Sequence, residues 1–352
     1  MSGRALAVRL DNAGDVLLAG PALRAMAADS DRLSVLASPQ GTDSARLLPG
    51  VADVIGWRCP WIDAAPPPVA TGDVTALVDR LRALCFDKAL VFTSFHQSPL
   101  PTALLLRLAG IPWVGAISED YPGTLLDLRH RVDDQLPEAE RALSLAAAAG
   151  FSLPSGDDGA LAVKGPLPDV APLVRSHRYV VLHPGTSVPA RAWPADRFAE
   201  TGALLRDSGW DVVVTGAPSE VALTAEVAAG TGAVDLGGRT SVRQLAAVLA
   251  AAEAVVVGNT GPAHLAAAVR TPVVSLFAPT VPAVRWAPYR VPSVLLGDQQ
   301  AACRDTRATE CPVPGHPCLA SVTPHDVVRS VEKLTGSDLT RADALDGEED
   351  GL

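Results

Sequence analysis

One pattern restricts this chain more than any other. Short apolar runs open into polar, glycine-containing loops, and the loops lead into alanine-rich helical stretches. Ala5–Leu10 runs into Asp11-Asn12-Ala13-Gly14-Asp15, and Tyr179–Leu182 runs into His183-Pro184-Gly185-Thr186-Ser187. Strands this short and this apolar are buried on both faces, and helices between them act as crossovers, so the pattern predicts parallel βαβ units. Further strands are expected at Leu33–Ala37, Ala89–Thr93, Trp113–Ile117, Asp211–Thr215, Ala254–Val257 and Val273–Phe277. Helices are expected at Val16–Ala28, bent early by Pro21, and at Asp73–Cys85, Ala195–Ser208 and His264–Val269. Another, Val242–Ala251, has Ser241 as its N-cap. The composition agrees: 48% of residues are hydrophobic but only 4% aromatic, so the core must be built from Ala, Val and Leu.

With 352 residues the chain has room for two α/β domains. Gly150–Pro172 is rich in Pro, Gly, Ser and Asp and reads as the linker. The expected division is 1–160, 161–335 and an acidic, disordered tail at 336–352. Two doubly wound domains would present a cleft at the C-terminal ends of their strands.

A net charge of −10 argues against a nucleic-acid partner, which calls for a basic surface. No apolar run is long enough to span a bilayer and the first residues lack a signal-peptide core, so the expected location is cytoplasmic. Reduced thiols follow, and the five cysteines are not expected to form a disulfide framework. Cys303, Cys311 and Cys318, with His316 among them, are the only candidate zinc set, at spacings wider than structural sites use. No resident metal or cofactor is therefore expected.

Four places could carry chemistry. Asp15 follows Gly14 at the end of the first strand, where a carboxylate can act as a general base or simply cap the helix. Asn259-Thr260-Gly261-Pro262-Ala263-His264 is a strand-to-helix junction whose N–H groups can seat a diphosphate. Thr186, Ser187 and Arg191 offer two hydroxyls and a cation to the same kind of anion. Glu220, after the loop at Gly216, can accept from sugar or ribose hydroxyls or cap its own helix. Trp193 reads as a core anchor and His96 as a loop residue. The glycine fingerprints of dinucleotide sites and P-loops are absent, as is an Asp-x-Asp metal site at a strand end, which disfavours a dehydrogenase.

In order and spacing these residues resemble glycosyltransferase family nine, the heptosyltransferase family, over roughly residues 4–335. The resemblance rests on Asn12-Ala13-Gly14-Asp15 with the following Pro21, on Gly185 through Arg191-Ala192-Trp193-Pro194 to Phe198, and on Asn259 through His264. It implies a fold of two Rossmann-like domains (the GT-B type), with acceptor on the first and nucleotide-sugar donor on the second. Asp15 would be the catalytic base. Gly14, Thr186, Ser187, Arg191, Glu220, Thr240, Asn259, Thr260, Gly261 and His264 would meet the donor. The sequence departs from the family pattern twice: Asn259 stands for the usual Asp, and Arg191 for the usual Lys. The implied reaction is metal-independent, inverting transfer of a heptose-like sugar from a nucleoside diphosphate, ADP by resemblance, to a carbohydrate or glycolipid hydroxyl, with peripheral contact to a membrane surface. The rivals are a nucleotide-sugar epimerase of the same fold and a catalytically silent nucleotide-sugar-binding protein.

Overall fold

The computed structural model describes residues 3–63, 65–133, 135–176 and 178–336. It divides into two compact units, one ending at Gly165 and the next beginning at Pro166, so the sequence boundary at 160 falls inside the first. The acidic tail lies outside the described residues, apart from Gly336 at its start.

The first unit holds six strands: β1 (Arg4–Arg9), β2 (Arg32–Ala37), β3 (Val51–Gly56), β4 (Lys88–Val91), β5 (Trp113–Ile117) and β6 (Leu128–His130). They form one parallel sheet in the order β3-β2-β1-β4-β5-β6. The inner strands are built from Ala, Val and Leu with side chains buried on both faces, which is why they read as apolar runs and not as an alternation. Helices Gly20–Ala28 and Glu138–Ala148 pack together, as do Thr71–Leu84 and Leu100–Leu108. The bend expected at Pro21 is a full break. Ala13–Leu18 and Gly20–Ala28 are separate helices, and Pro21 sits in the first turn of the second, where its missing N–H costs nothing.

The second unit repeats the plan with β7 (Tyr179–His183), β8 (Asp211–Val214), β9 (Val234–Asp235), β10 (Ala254–Gly258), β11 (Val273–Leu276) and β12 (Ser293–Leu296). Its parallel order is β12-β11-β10-β7-β8-β9. Helix Ala195–Asp207 packs against Val221–Ala228 and Pro324–Thr335, and Val242–Ala250 packs against Gly261–Ala268. Trp193 is buried edge-to-face on Phe198, their centroids 5.0 Å apart, as its core reading requires. Ser241 caps its helix in a reciprocal box with Gln244.

The stretch read as a linker is mostly part of the first unit. It has no helix or strand up to Gly165, so its backbone groups need other partners. Arg24 supplies one, donating to the Ala160 carbonyl at 2.8 Å, and it grips the Asp157 carboxylate at 2.6 and 2.8 Å. Lys164 donates through its N–H to Leu47 and through Nζ to Val51, both at 2.7 Å. Polar composition alone could not reveal these anchors.

Both sheets have a switch point, where consecutive strands leave in opposite directions: between β1 and β4 in the first unit and between β7 and β10 in the second. In open α/β sheets ligands bind at the strand ends beside such a point, where the loops diverge.

Candidate active site

At the first switch point, β1 hands over to the helix Ala13–Leu18, whose first turn carries Asp15. Gly14 is buried beneath it. Asp15 does not cap the helix start. Asn12 receives no side-chain capping bond there, and Asp15 Oδ1 instead accepts from Arg9 Nη2 at 3.0 Å. Arg9 also lies 3.0 Å from Asp11 and 3.9 Å from Glu138. Burial would by itself favour loss of the Arg9 proton, but the carboxylates of Asp11, Asp15 and Glu138 outweigh it and hold the guanidinium charged. Burial pushes the Asp11 carboxyl up. Arg9 pulls it down and Asp15 adds to the rise, while hydrogen bonds from Gln97 and Ser94 favour its ionised form. The loop after β4 thus contributes Ser94 and Gln97, while His96 is exposed and set edge-on against Phe95.

At the second switch point three loops meet. At the end of β7, His183 is buried with Nδ1 2.9 Å from Thr215 Oγ1, and its Nε2 lies 3.9 Å from Glu220. Burial pushes the His183 imidazole down to about 4, against a smaller upward pull from Glu220, so the ring is neutral at pH 7. Glu220 folds back: its Oε2 accepts from the Ala217 N–H at 2.7 Å, and its carboxylate lies over Gly185. A Cβ at Gly185 would stand 2.2 Å from that carboxylate, so only glycine fits while Glu220 holds this pose.

Thr186 is half-buried, its Oγ1 accepting from Val188 N–H at 3.2 Å, and Ser187 is exposed. Arg191 closes a 3-10 turn, Pro189–Arg191, and its Nη1 donates to the Asn259 carbonyl at 3.3 Å, tying the loop after β7 to the one after β10. Asn259 is buried. Its Nδ2 approaches the Ala278 carbonyl at 3.5 Å, and no hydrogen bond within the described residues reaches its Oδ1. The helix Gly261–Ala268 starts at Thr260, whose hydroxyl is not spent on capping, and carries the buried His264 in its first turn. Thr240 is half-buried on the loop after β9, next to the Gly237-Gly238 turn that packs on Thr224 and Pro218. Arg191, Asn259, Thr260, Gly261 and His264 therefore gather at one strand end, with Gly185 and Glu220 on the neighbouring loops. Arg191 and the Gly261 N–H at the helix start offer donors to an anion at this strand end, with the Glu220 carboxylate alongside.

The sequence reading missed Arg9, Asp11 and His183. The signal for Arg9 was present: a charge inside an otherwise apolar strand, with acids two and six residues later, implies a buried ion pair.

The candidate zinc set is Cys303, Cys311, Cys318 and His316. Among the described residues no group of three or more His, Cys, Asp or Glu is arranged to hold a metal ion. His316 Nε2 donates to the Ala190 carbonyl at 3.0 Å, and Cys303 and Cys318 are buried in the core as free thiols.

The family model described as glycosyltransferase family 9 (heptosyltransferase) matches residues 74–315, more than half of the chain. The chain belongs to glycosyltransferase family 9. Among family 9 relatives it is 32% identical over 178 residues to lipopolysaccharide heptosyltransferase 3 of Escherichia coli K12, covering 48% of this chain and 50% of that protein. It is 29% identical over 233 residues to lipopolysaccharide heptosyltransferase 1 of the same strain, covering 64% and 70%. The matched region thus spans half of the first relative and about two thirds of the second.

The solved family 9 glycosyltransferase of Veillonella parvula superposes with a TM-score of 0.79 at 16% identity, over 96% of this chain and 98% of that one. Escherichia coli ADP-heptose lipopolysaccharide heptosyltransferase II superposes at 0.73 and 21% identity, over 96% and 99%. At these identities the likeness speaks for the fold, which is of the GT-B type. Among the described residues no helix is long and apolar enough to cross a membrane.

Proposed function

We propose that the chain is an inverting glycosyltransferase moving a heptose-like sugar from an ADP-linked donor to a hydroxyl of a lipopolysaccharide-type glycolipid or related carbohydrate. The observation that carries this reading is the anion seat at the β7–β10 switch point, where Arg191 bonds to the Asn259 backbone beside the Thr260–Gly261 helix start. The named relatives are lipopolysaccharide heptosyltransferases, and one solved neighbour, the Escherichia coli heptosyltransferase WaaC, was determined with ADP.

In this mechanism the acceptor oxygen forms a bond to the anomeric carbon as the bond from that carbon to the diphosphate oxygen breaks. Asp15 takes the hydroxyl proton. The departing diphosphate is stabilised by Arg191, His264 and the Gly261 N–H at the helix start, which do electrostatically what a metal ion does elsewhere. Glu220 accepts from the ribose, Thr240 lies toward the base, and Thr186 and Ser187 bond the donor. The second unit takes the donor and the first takes the acceptor, which an enzyme acting at the membrane surface would draw from the lipid layer.

The test is transfer from ADP-heptose to heptose-free lipopolysaccharide, with and without EDTA, beside UDP-, GDP- and CDP-sugar controls. ADP-selective, EDTA-resistant transfer is expected. Conversion of the donor without any acceptor would identify an epimerase instead. Donor binding without turnover would identify a silent binding protein.

A further inference from the structure

β1 ends on a cation that water scarcely reaches. Arg9 is 4% exposed, and a guanidinium held that deep needs anions within contact distance. Its Nε lies 3.0 Å from Asp11 Oδ2, while Nη2 donates at 3.0 Å to both Asp15 Oδ1 and Ser94 Oγ. Asp11 is itself held. Gln97 Nε2 donates to its Oδ1 at 2.6 Å and Ser94 Oγ does so at 3.4 Å. Gln97 in turn is locked to Ser94, which donates its N–H to Gln97 Oε1 at 3.0 Å. On the far side Glu138 lies 3.9 Å from Arg9 and 3.6 Å from Arg141. Asp15 is the outermost acid of the trio, with 17% of its side chain exposed against 8% for Asp11 and 2% for Glu138.

We infer that Arg9 is the positioning residue for the base: anchored on Asp11 and Ser94, it holds Asp15 Oδ1 so that the other carboxylate oxygen takes the acceptor proton. This rests on the reading of Asp15 as base. The argument is geometric. A carboxylate on a short side chain rotates unless one oxygen is fixed, and a misplacement of about 1 Å at a reacting group can cost about a hundredfold in rate. Arg9 fixes that oxygen with a planar fork that reaches Asp11 and Asp15 together. A lysine ammonium, as a point charge on a flexible stem, cannot reproduce the fork. Arg9 is too buried to touch substrate, so its effect must appear in turnover and not in donor binding.

The experiment compares Arg9→Lys, Ser94→Ala and Asp15→Asn in the full chain, with ADP-heptose and heptose-free lipopolysaccharide as probes. Turnover at saturation is measured well below each melting temperature, and ADP affinity by calorimetry. Arg9→Lys is expected to lower kcat by about ten- to a hundredfold while the ADP dissociation constant stays within about twofold. Ser94→Ala, which removes one anchor and changes little volume, should lower kcat less, again at unchanged ADP affinity. A purely structural role would lower the melting temperature of both variants and leave kcat intact, which would overturn the inference. Should Arg9→Lys not fold, Ser94→Ala decides alone. Full activity in Asp15→Asn would remove the base reading and this inference with it. An inactive Asp15→Asn beside a fully active Arg9→Lys would remove the inference only.

Discussion

Adding a single methyl group at Gly185 tests the arrangement of the loops after β7 and β8. Its new Cβ would stand 2.2 Å from the Cδ, Oε1 and Oε2 atoms of Glu220, so the carboxylate must swing away by more than 1 Å to restore van der Waals contact. In its present place that carboxylate accepts the Ala217 N–H at 2.7 Å, closing the start of the 3-10 turn Pro218–Glu220. A capping bond of this kind is worth about 1–2 kcal/mol. Gly185→Ala should therefore destabilise the second unit by about that amount, a melting shift of roughly 2–8 °C for a domain of this size. Glu220→Ala should cost about the same, for loss of the same bond. In the double variant the obstructing carboxylate is gone, and adding the Gly185 methyl should cost nothing beyond the roughly 0.5 kcal/mol scatter of additive pairs. Denaturant unfolding of the four proteins closes the cycle. Equal cost of Gly185→Ala in both backgrounds would refute the reasoning, because the strain would then lie elsewhere than against Glu220.

Two further outcomes follow from the same structure. His183 is held neutral down to about pH 4 while an unfolded histidine titrates near its ordinary 6.5, so between those values the unfolded chain binds a proton that the folded one does not. Stability of the second unit should thus fall as pH drops through that window, by about 3 kcal/mol in total, and His183→Asn should flatten the fall; an unchanged slope in the variant would assign it to other groups. Asp157→Ala leaves Arg24 without its carboxylate partner and should cost about 1–3 kcal/mol and expose 152–165 to protease, whereas unaltered cleavage would mean that the remaining anchors, the Arg24–Ala160 and Lys164 bonds among them, hold this segment.

Much of the fold was legible because the central strands are buried on both faces. Trp113–Ile117 is read to the residue, and Tyr179–His183, Ala254–Gly258 and Val273–Leu276 to within one at their ends. The strands that escaped lie toward the sheet edges, where burial is partial and the apolar signal breaks. β3 carries Asp53, made tolerable by Arg32 across the strand pair, β9 is two residues long, and β12 is only half-buried throughout. The loops proposed to meet the donor were legible as loops after strands, since glycine and hydroxyl residues at a helix start carry a local signal. The network behind Asp15 was not, because Arg9, Ser94 and Gln97 meet only once β1 and β4 pair across more than eighty residues. Asn259 shows the same limit from the other side: the sequence marks it as a departure, but its burial against the Ala278 carbonyl is a tertiary fact.

The central claim is that Asp15 removes the acceptor proton while the second unit holds the donor. Steady-state transfer by Asp15→Asn from ADP-heptose, with ADP affinity measured on the same preparation, tests it most directly. The account predicts a loss of about 10²–10⁴ in kcat with ADP affinity unchanged. Turnover within a few-fold of the unaltered protein would contradict it.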